Sequence, residues 1–316
     1  MLEFREAAAG WYQSRFGVTL DPNTEVLSLI GSKEGLAHLP LAFVNPGDGV
    51  LVPSPSYPVY RVATLFAGGV PHNLPLLREN DFLPDLSAVP RDVLNHSKVL
   101  FINYPNNPTA AVAGLDFFAH IVEFARKNSL LICHDAAYSE IYFDSDPPHS
   151  ILEVDGAKEV AIEFHSLSKT YNMTGWRIAF AVGNAEALAA LGQVKTNVDS
   201  GIFEAVQCAG ITALTGDQSC VEQNRRTYVE RREILLPGLE NAGLRVNPCT
   251  ATFYLWVDVP QGSTTEKFAD QLLEAGIVTT PGTSFGQEGE GYIRIAMTVS
   301  ADRCREVVRR IQKINF

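Results

Sequence analysis

One lysine of this sequence stands among residues that favour chemistry. Lys169 follows an apolar run, with Ser166 and Ser168 just before it and Arg177 eight residues after it, in "HSLSKTYNMTGWR". The two hydroxyls and the guanidinium suit a phosphate dianion. Because Arg177 already supplies the fixed positive charge, phosphate binding alone explains Lys169 poorly. A surface charge, a phosphate ligand and a nucleophile are the three interpretations that the remaining sequence has to separate.

Two further polar clusters follow apolar runs and offer ligands. Ser32 and Lys33, in "GSKEG", stand where a strand turns into a helix, so that free backbone N–H groups would face an anion. A helix cap by Ser32 alone is the simpler interpretation. In "NYPNNPT", the amide of Asn107 can hold a ligand oxygen, with the following proline fixing its direction. A plain loop turn explains the same residues.

A carboxylate and two aromatic residues complete the set. Asp135 ends the strongly apolar run "LLICHD", where a buried carboxylate is costly unless it is paired. It serves there either as a turn cap or as the counter-ion of a buried cation, and Tyr138 can reach the same ligand. His134 points to the opposite face of the strand and belongs to the core. Tyr57, between prolines in "SPSYP", is either a core residue or a ring that stacks on a flat ligand.

All these clusters share one position in the predicted elements, the carboxyl end of a strand. In an open parallel sheet, ligands bind at this edge, so that five such clusters predict one common site. A lysine beside phosphate ligands, a carboxylate, an amide, a tyrosine and a stacking aromatic residue has one economical explanation. It forms a Schiff base with the aldehyde of pyridoxal phosphate.

The identity and order of these motifs resemble the fold-type I, class I/II pyridoxal-phosphate aminotransferases. The pattern SxSKxxxxxGxR, with Asn-Pro and Asp-x-x-Tyr upstream, supports a resemblance that runs from residue 3 to the end. It implies pyridoxal 5'-phosphate as the cofactor, Lys169 as the catalytic, aldimine-forming lysine, and Asp135 as the partner of the pyridine nitrogen. The implied reaction passes the amino group of an amino acid to a 2-oxo acid, with Lys169 carrying the Cα proton as base and acid.

The same resemblance assigns the other residues. Asn107 and Tyr138 bind the ring hydroxyl, and Tyr57 stacks on the ring. Arg294, in "GYIRIAM", holds the substrate α-carboxylate, and Asn107 also contacts the substrate. The residues implied to surround the phosphate are Ser32, Lys33, Ser166, Ser168 and Arg177.

Three segments look most like LL-diaminopimelate aminotransferases within the family: "WYQSRFGVTLDP", "VKTNVDSGIFEAVQ" and "ATFYLWVDVP". This likeness implies LL-diaminopimelate and 2-oxoglutarate as substrates, in lysine biosynthesis. A dedicated aspartate aminotransferase fits less well, because residues 195–203 offer Lys195 and Asp199 but no arginine for a distal carboxylate. Alanine, aromatic and broad-range aminotransferases stay open. The family also implies a homodimer with the active site at its interface.

The fold implied by the elements is α/β. Over residues 1–217, apolar runs alternate with helical stretches, which predicts a large cofactor-binding domain with a mostly parallel sheet between helices; the resemblance sets its strands at seven. The first helix is already under way at residue 3 or 4. From residue 218 a long charged helix leads into a smaller α+β domain, residues 218–316.

Bulk properties exclude several classes of function. The 316 residues carry a formal net charge of -11, with a pI near 5.1, which argues against a nucleic-acid-binding surface. No apolar run approaches the roughly 18 residues of a membrane span. The five scattered cysteines indicate reduced core thiols in a cytoplasmic protein and no metal site.

Two alternatives to an active enzyme follow from family architecture. Some transcription regulators carry an aminotransferase-like domain, but no basic helix-turn-helix pattern occurs in this sequence. Compared with the usual family length, the chain lacks an N-terminal segment that contributes a substrate-contacting glycine and a tyrosine for the neighbouring subunit's phosphate. A chain that binds pyridoxal phosphate but turns over poorly or not at all is therefore the second alternative.

Overall fold

A seven-stranded sheet forms the centre of the larger part of the protein. The structure, a computed structural model, describes residues 1–143 and 146–314. The order across the sheet is β1-β7-β6-β5-β4-β2-β3, and only β7 runs antiparallel to its neighbours. This confirms the mostly parallel seven-stranded sheet predicted from the sequence. The strands are β1 (Val26–Leu29), β2 (Gly49–Ser54), β3 (Val70–Pro75), β4 (Ser97–Ile102), β5 (Leu131–Asp135), β6 (Ala161–Ser166) and β7 (Ala179–Gly183).

Helices cover both faces of this sheet. Successive residues of β7 enter different cores, since Phe180 packs into the cluster that contains Tyr12 while Ala181 packs into the one that contains Leu36. This alternation follows from the two-residue period of a strand and requires apolar cover on each side. The helices of this part are α1 (Leu2–Phe16), α2 (Ser32–Phe43), α3 (Val59–Phe66), α4 (Arg91–His96), α5 (Leu115–Asn128), α6 (Leu167–Thr170), α7 (Ala185–Val198) and α8 (Glu204–Thr215).

Strand β3 is the one strand of this sheet that the sequence patterns do not indicate. Its sequence, "VPHNLP", contains two prolines and little apolar alternation. It lies at the edge of the sheet and pairs only with β2, a position where proline is tolerated because one side of the strand makes no ladder bonds.

A second, antiparallel sheet follows the long helix α9 (Ser219–Asn241). Its strands are β8 (Tyr254–Asp258), β9 (Thr280–Pro281) and β10 (Tyr292–Ala296), in the order β8-β10-β9. Helices α10 (Thr265–Glu274) and α11 (Ala301–Ile311) pack with this sheet in a core of its own. The smaller α+β part expected from the sequence is present, whereas the domain boundary between residues 217 and 218 stays a prediction.

The cysteines correct one expectation. Cys133, Cys249 and Cys304 are buried, as expected of core thiols, but Cys208 and Cys220 are exposed, because they lie on the solvent-facing sides of α8 and α9.

Within residues 1–143 and 146–314, no helix has the length and apolar character to cross a membrane. The same residues contain no group of three or more His, Cys, Asp or Glu side chains arranged to hold a metal ion.

The carboxyl ends of five strands meet at one edge of the large sheet. Strands β1, β2, β4, β5 and β6 all run in the same direction, so that the segments that follow them lie side by side. These segments are the polar clusters "GSKEG", "PSPSYP", "NYPNNPT", "HDAAY" and "HSLSKT". The topology therefore brings distant parts of the sequence to one place, as the rule for open parallel sheets requires.

Candidate active site

A cavity of about 380 Å³ opens at this edge. All eleven residues that the sequence analysis proposes for the cofactor and the substrate line it: Ser32, Lys33, Tyr57, Asn107, Asp135, Tyr138, Ser166, Ser168, Lys169, Arg177 and Arg294. The sequence analysis did not single out three further lining residues, Ala137, Thr174 and Tyr254. Tyr254 lies on the second sheet, so that both parts of the protein contribute to the cavity.

One end of the cavity is built from the start of helix α2 and from Arg177. The N-cap of α2 is Gly31, with φ 80°, and no side chain caps this end, so that the simpler interpretation of Ser32 as a helix cap is wrong. Glycine suits this positive φ, and a Cβ at position 31 would lie 2.1 Å from Nη2 of Arg177 and would displace that side chain. Arg177 donates through Nη1 to the carbonyl of Thr174 at 3.0 Å. A helix N-terminus beside a guanidinium is suited to an anion.

Two serines bring hydroxyls to the cavity beside Lys169. Ser166 ends strand β6, and its Oγ accepts a hydrogen bond from the backbone N–H of Ser168 at 3.3 Å, which caps the short helix α6. Within the part of the chain that the structure describes, the buried Oγ of Ser168 has no hydrogen-bond partner. A buried hydroxyl without a partner is costly, and an anionic ligand would satisfy it.

One carboxylate oxygen of Asp135 also lacks a partner within residues 1–143 and 146–314, and burying an unpaired carboxylate costs more free energy than burying an unpaired hydroxyl. Its Oδ2 accepts a hydrogen bond from the hydroxyl of Tyr60 at 2.7 Å, whereas its buried Oδ1 has no partner among the described residues. Burial raises the pKa of Asp135, while the Tyr60 hydrogen bond, His134 and Lys169 act in the opposite direction. A cationic N–H donor in the cavity would satisfy Oδ1 and favour the ionised carboxylate. The protonated nitrogen of a pyridine ring is such a donor.

Lys169 projects into the same cavity from helix α6. Its Nζ lies 5.9 Å from the ring centre of Tyr138 and 5.4 Å from that of Phe253. Burial lowers the pKa of Lys169; Asp135 opposes this shift, and Arg177 and Arg294 add to it. A lowered pKa makes the uncharged, nucleophilic amine more accessible.

The segment after β4 is held in place by asparagines with separate tasks. Asn103 donates through Nδ2 to the carbonyl of Asp135 at 2.6 Å, and its Oδ1 accepts from the backbone N–H of Asn107 at 2.8 Å. Asn106 accepts from the backbone N–H and hydroxyl of Thr109, which folds the turn. The side chain of Asn107 is thereby left to face the cavity, and the bond from Asn107 to Pro108 is cis.

Arg294 is held by two aromatic rings. The central carbon of its guanidinium lies 4.1 Å from the ring centre of Tyr254 and 4.6 Å from that of Phe285. Its Nη1 donates to Oδ1 of Asn107 at 2.7 Å, and its Nη2 donates to the hydroxyl of Thr280 at 3.3 Å. Burial lowers the pKa of Arg294, and the two tyrosines near it, Tyr254 and Tyr138, oppose this shift. The guanidinium is therefore fixed before any carboxylate arrives.

The family follows from these residues and from the whole sequence. The sequence profile described as "Aminotransferase class I and II" matches residues 1–311. The chain belongs to the class I and II aminotransferases. Their cofactor is pyridoxal 5'-phosphate, and they act on amino acids and 2-oxo acids. The unpartnered Oδ1 of Asp135 and Oγ of Ser168, together with the anion-binding end of the cavity, fit this cofactor.

Curated relatives of this aminotransferase share one name. The LL-diaminopimelate aminotransferase of Syntrophobacter fumaroxidans is 60% identical over 317 residues, covering 100% of this chain and 82% of the relative. That of Aquifex aeolicus is 57% identical over 315 residues, covering 99% of this chain and 81% of the relative.

Solved structures have the same architecture. Apo-BacF from Bacillus subtilis superposes with a TM-score of 0.97 at 40% identity, covering 100% of this chain and 81% of that one. A probable N-succinyldiaminopimelate aminotransferase from Thermus thermophilus gives a TM-score of 0.94 at 41% identity, covering 99% of this chain and 84% of that one. The names of these relatives and structures differ although the architecture is shared, so that the fold alone does not identify the substrate.

Replacing Gly31 tests the anion-binding end of the cavity. We expect Gly31→Ala to weaken pyridoxal phosphate binding by about tenfold or more, because the new Cβ displaces Arg177 and one charge-assisted contact contributes about 1.5–3 kcal/mol. Gly17→Ala is the matched control, since Gly17 also has a positive φ but no atom within 4 Å of an added Cβ. It should lower thermal stability and leave cofactor affinity unchanged. Equal affinity losses in both variants, measured by titrating the apoprotein, would contradict this interpretation.

Replacing Tyr254 tests the aromatic support of Arg294. We expect Tyr254→Ala to raise the KM for amino-acid substrates about five- to thirtyfold, because a desolvated cation–π contact contributes about 1–2 kcal/mol. The value of kcat should change less. Tyr254→Phe keeps the ring and should keep KM near that of the wild type. If Tyr254→Phe raises KM as much as Tyr254→Ala in steady-state kinetics, the hydroxyl and not the ring is responsible.

Proposed function

We propose that this aminotransferase moves an amino group from LL-diaminopimelate to 2-oxoglutarate, in lysine biosynthesis. The observation that carries the proposal is the chemistry of one cavity, in which Lys169, the half-satisfied Asp135 and the fixed Arg294 meet. The choice of LL-diaminopimelate is supported by the name shared by relatives at 53–60% identity. Aspartate, alanine and aromatic amino acids are the alternative donors.

One observation speaks against a dedicated aspartate enzyme. Lys195, the one cation in residues 195–203, lines a different pocket from the cavity, and it already donates to both carboxylate oxygens of Asp199 at 2.9 Å and to Glu34 at 3.3 Å. A cation held by two carboxylates has little charge left to attract a third. The proposal of a substrate that is not aspartate rests on this contact and on the lack of an arginine in residues 195–203.

In this proposal, the residues predicted from the sequence divide the contacts with the cofactor among them. Asp135 holds the pyridine nitrogen, Asn107 and Tyr138 hold the ring hydroxyl, and Tyr57 covers the ring. The phosphate lies against the start of α2 and is held by Ser32, Lys33, Ser166, Ser168 and Arg177. Bound pyridoxal phosphate supplies a ring that accepts the electrons left behind when the substrate loses its Cα proton.

Lys169 and Arg294 act on the substrate. The lowered pKa of Lys169 suits an amine that takes the Cα proton and later returns it as an acid. Arg294 binds the α-carboxylate, and Asn107, which accepts its hydrogen bond at 2.7 Å, sets the direction of the guanidinium. Arg294 and Asn107 together would hold the substrate with its Cα–H bond close to the amine of Lys169, so that the groups that exchange the proton are already aligned.

We further propose a cytoplasmic homodimer with the active site at the subunit interface, and a chain divided into a large domain (1–217) and a small one (218–316). Trp176, which precedes the cavity residue Arg177, is exposed, as are Val198 and Phe203 in and after helix α7. Exposed large apolar side chains favour a subunit contact. A sedimentation mass equal to that of one chain would rule out the dimer.

Chemical trapping tests the role of Lys169. We expect borohydride reduction of the protein with added pyridoxal phosphate to attach the cofactor covalently to Lys169, because its amine is the one that lines the cavity with a lowered pKa. Peptide mass mapping identifies the modified residue, and Lys169→Ala is the control that should stay unmodified. An adduct on Lys33, the other lysine of the cavity, would overturn the assignment.

A half-reaction screen tests the substrate. Each amino acid is mixed alone with the cofactor-loaded protein, and the loss of the visible absorbance of the bound cofactor is followed. We expect LL-diaminopimelate to react with the highest efficiency, at least about tenfold above aspartate, alanine and phenylalanine, a difference of about 1.4 kcal/mol in transition-state binding. A higher efficiency with any of these three would replace the proposed donor. Cofactor binding without reaction with any amino acid would favour the cofactor-binding, inactive alternative.

A further inference from the structure

A second group of titratable residues lies on the opposite face of the sheet from the cavity. Its centre is Glu163 on strand β6, which is fully buried. In register with it on β5 is His134, and two residues farther along β6 is His165. Because side chains alternate along a strand, these three point away from the face that bears Asp135 and Ser166. None of the tasks proposed for the cavity uses them.

The carboxylate of Glu163 is saturated with donors. Its Oε1 accepts from Tyr12 at 2.5 Å and from His165 at 2.6 Å. Its Oε2 accepts from His134 at 2.8 Å, and from the Ser150 hydroxyl and a backbone N–H at 3.0 Å each. Burial alone would raise the pKa of Glu163, but the charge and hydrogen bond of His134, with those of His165, hold it well below its usual value. Glu163 is therefore an ionised carboxylate in the core.

Hydrogen bonding also fixes the charge of His134. Its Nδ1 faces the Glu163 carboxylate, and its Nε2 lies 3.1 Å from the backbone carbonyl oxygen of Tyr104. Both partners only accept hydrogen bonds, so that the imidazolium, in which both ring nitrogens donate, is the form of His134 that satisfies both contacts. His165 has to donate only through Nε2, to Glu163, because the Ser139 hydroxyl, 3.4 Å from its Nδ1, can donate to that nitrogen. Glu163 and His134 thus form a buried ion pair with no net charge.

The contacts of this ion pair reach the segments that carry the cavity residues. His134 directly precedes Asp135, and the Tyr104 carbonyl that it binds opens the loop to Asn107. His165 directly precedes Ser166, and its neighbour Ser139 directly follows Tyr138. In addition, the positive charge of His134 favours the ionised form of Asp135. One buried carboxylate therefore connects three backbone segments that bear residues of the cavity: the ends of β5 and β6 and the loop after β4.

We infer that Glu163 and His134 are positioning residues for the cofactor: from the far face of the sheet, their ion pair fixes Asp135 and its neighbours and places a positive charge behind the Asp135 carboxylate. The inference uses the assignment of the cavity to pyridoxal phosphate. A role in stability alone would predict that cofactor affinity follows folding stability from variant to variant. A positioning role predicts that some variants lose cofactor affinity without a matching loss of folding stability.

Glu163→Gln, with the same shape and no charge, is the main variant, and Tyr12→Phe is its matched control. Tyr12→Phe removes another donor of Glu163, but one that lies on helix α1 and leads to no cavity residue. His134→Asn is a second variant, in case Glu163→Gln does not fold: an Asn amide takes the place of Nδ1, which keeps a bond to Glu163 and removes the cation and the bond to Tyr104.

Each apoprotein is titrated with pyridoxal phosphate for its Kd, melted for its Tm, and measured by visible circular dichroism when loaded, since this signal reports the orientation of the bound ring. We expect Glu163→Gln or His134→Asn to weaken binding by about tenfold or more and to change the dichroism, because breaking a buried pair leaves its partner uncompensated. Tyr12→Phe should lower Tm and keep the wild-type Kd within about twofold.

Two results would overturn the inference. One is a folded Glu163→Gln or His134→Asn protein whose Kd and dichroism match the wild type. The other is an equal loss of affinity in Tyr12→Phe, which would reduce the ion pair to a contribution to stability. Reduction of the wild type with borohydride is run in parallel, so that failure of cofactor attachment at Lys169 itself is recognised as failure of the cavity assignment.

Discussion

A buried carboxylate with one unsatisfied oxygen is the constraint on which this site depends. Asp135 stands at the end of the central strand β5, where transfer from water costs several kcal/mol unless the charge is compensated. Tyr60 satisfies one oxygen, and Lys169 and His134 provide positive charge nearby. The other oxygen has no partner among the described residues and faces the cavity. In the proposed role of Asp135, a cofactor with a protonated ring nitrogen would remove this cost.

The parallel sheet divides the work between its two faces. One face presents Asp135 and Ser166 to the cavity, while the neighbouring residues of the same strands, His134 and His165, bind Glu163 on the other face. Asp135 and Ser166 are thereby each backed by a residue of the core one position earlier. This arrangement follows from the alternation of side chains along a strand, and it gives a site on loops the rigidity of a sheet.

The substrate end of the site is built differently. Arg294 comes from the second, antiparallel sheet, and its orientation depends on Tyr254 and Phe285 from the same part of the chain and on Asn107 from the other. Because a hydrogen bond of 2.7 Å joins Arg294 to Asn107 across the two parts, the orientation of this arginine depends on how the two parts pack together. Relatives with TM-scores of 0.93–0.97 carry several different names, which agrees with a fixed cofactor site and a more variable substrate end.

The sequence by itself determined the fold class, the family, the cofactor and eleven of the residues that line the cavity, because these residues follow apolar strands in short, recognisable motifs. Tyr60, Asn103 and Tyr254 were not predicted, since each contacts a residue far away in the chain: Tyr60 and Asn103 contact Asp135, and Tyr254 contacts Arg294.

Other features also needed the tertiary structure. The sequence alone allowed Ser32 to be a helix cap, but in the structure Gly31 is the N-cap of α2. The edge strand β3 has no apolar pattern by which it could be predicted. Glu163 is an acidic residue inside an apolar strand, and His165, its near neighbour in the chain, bonds to only one of its two carboxylate oxygens. Only the register of β5 against β6, which places His134 beside it, turns an expensive buried charge into a compensated pair.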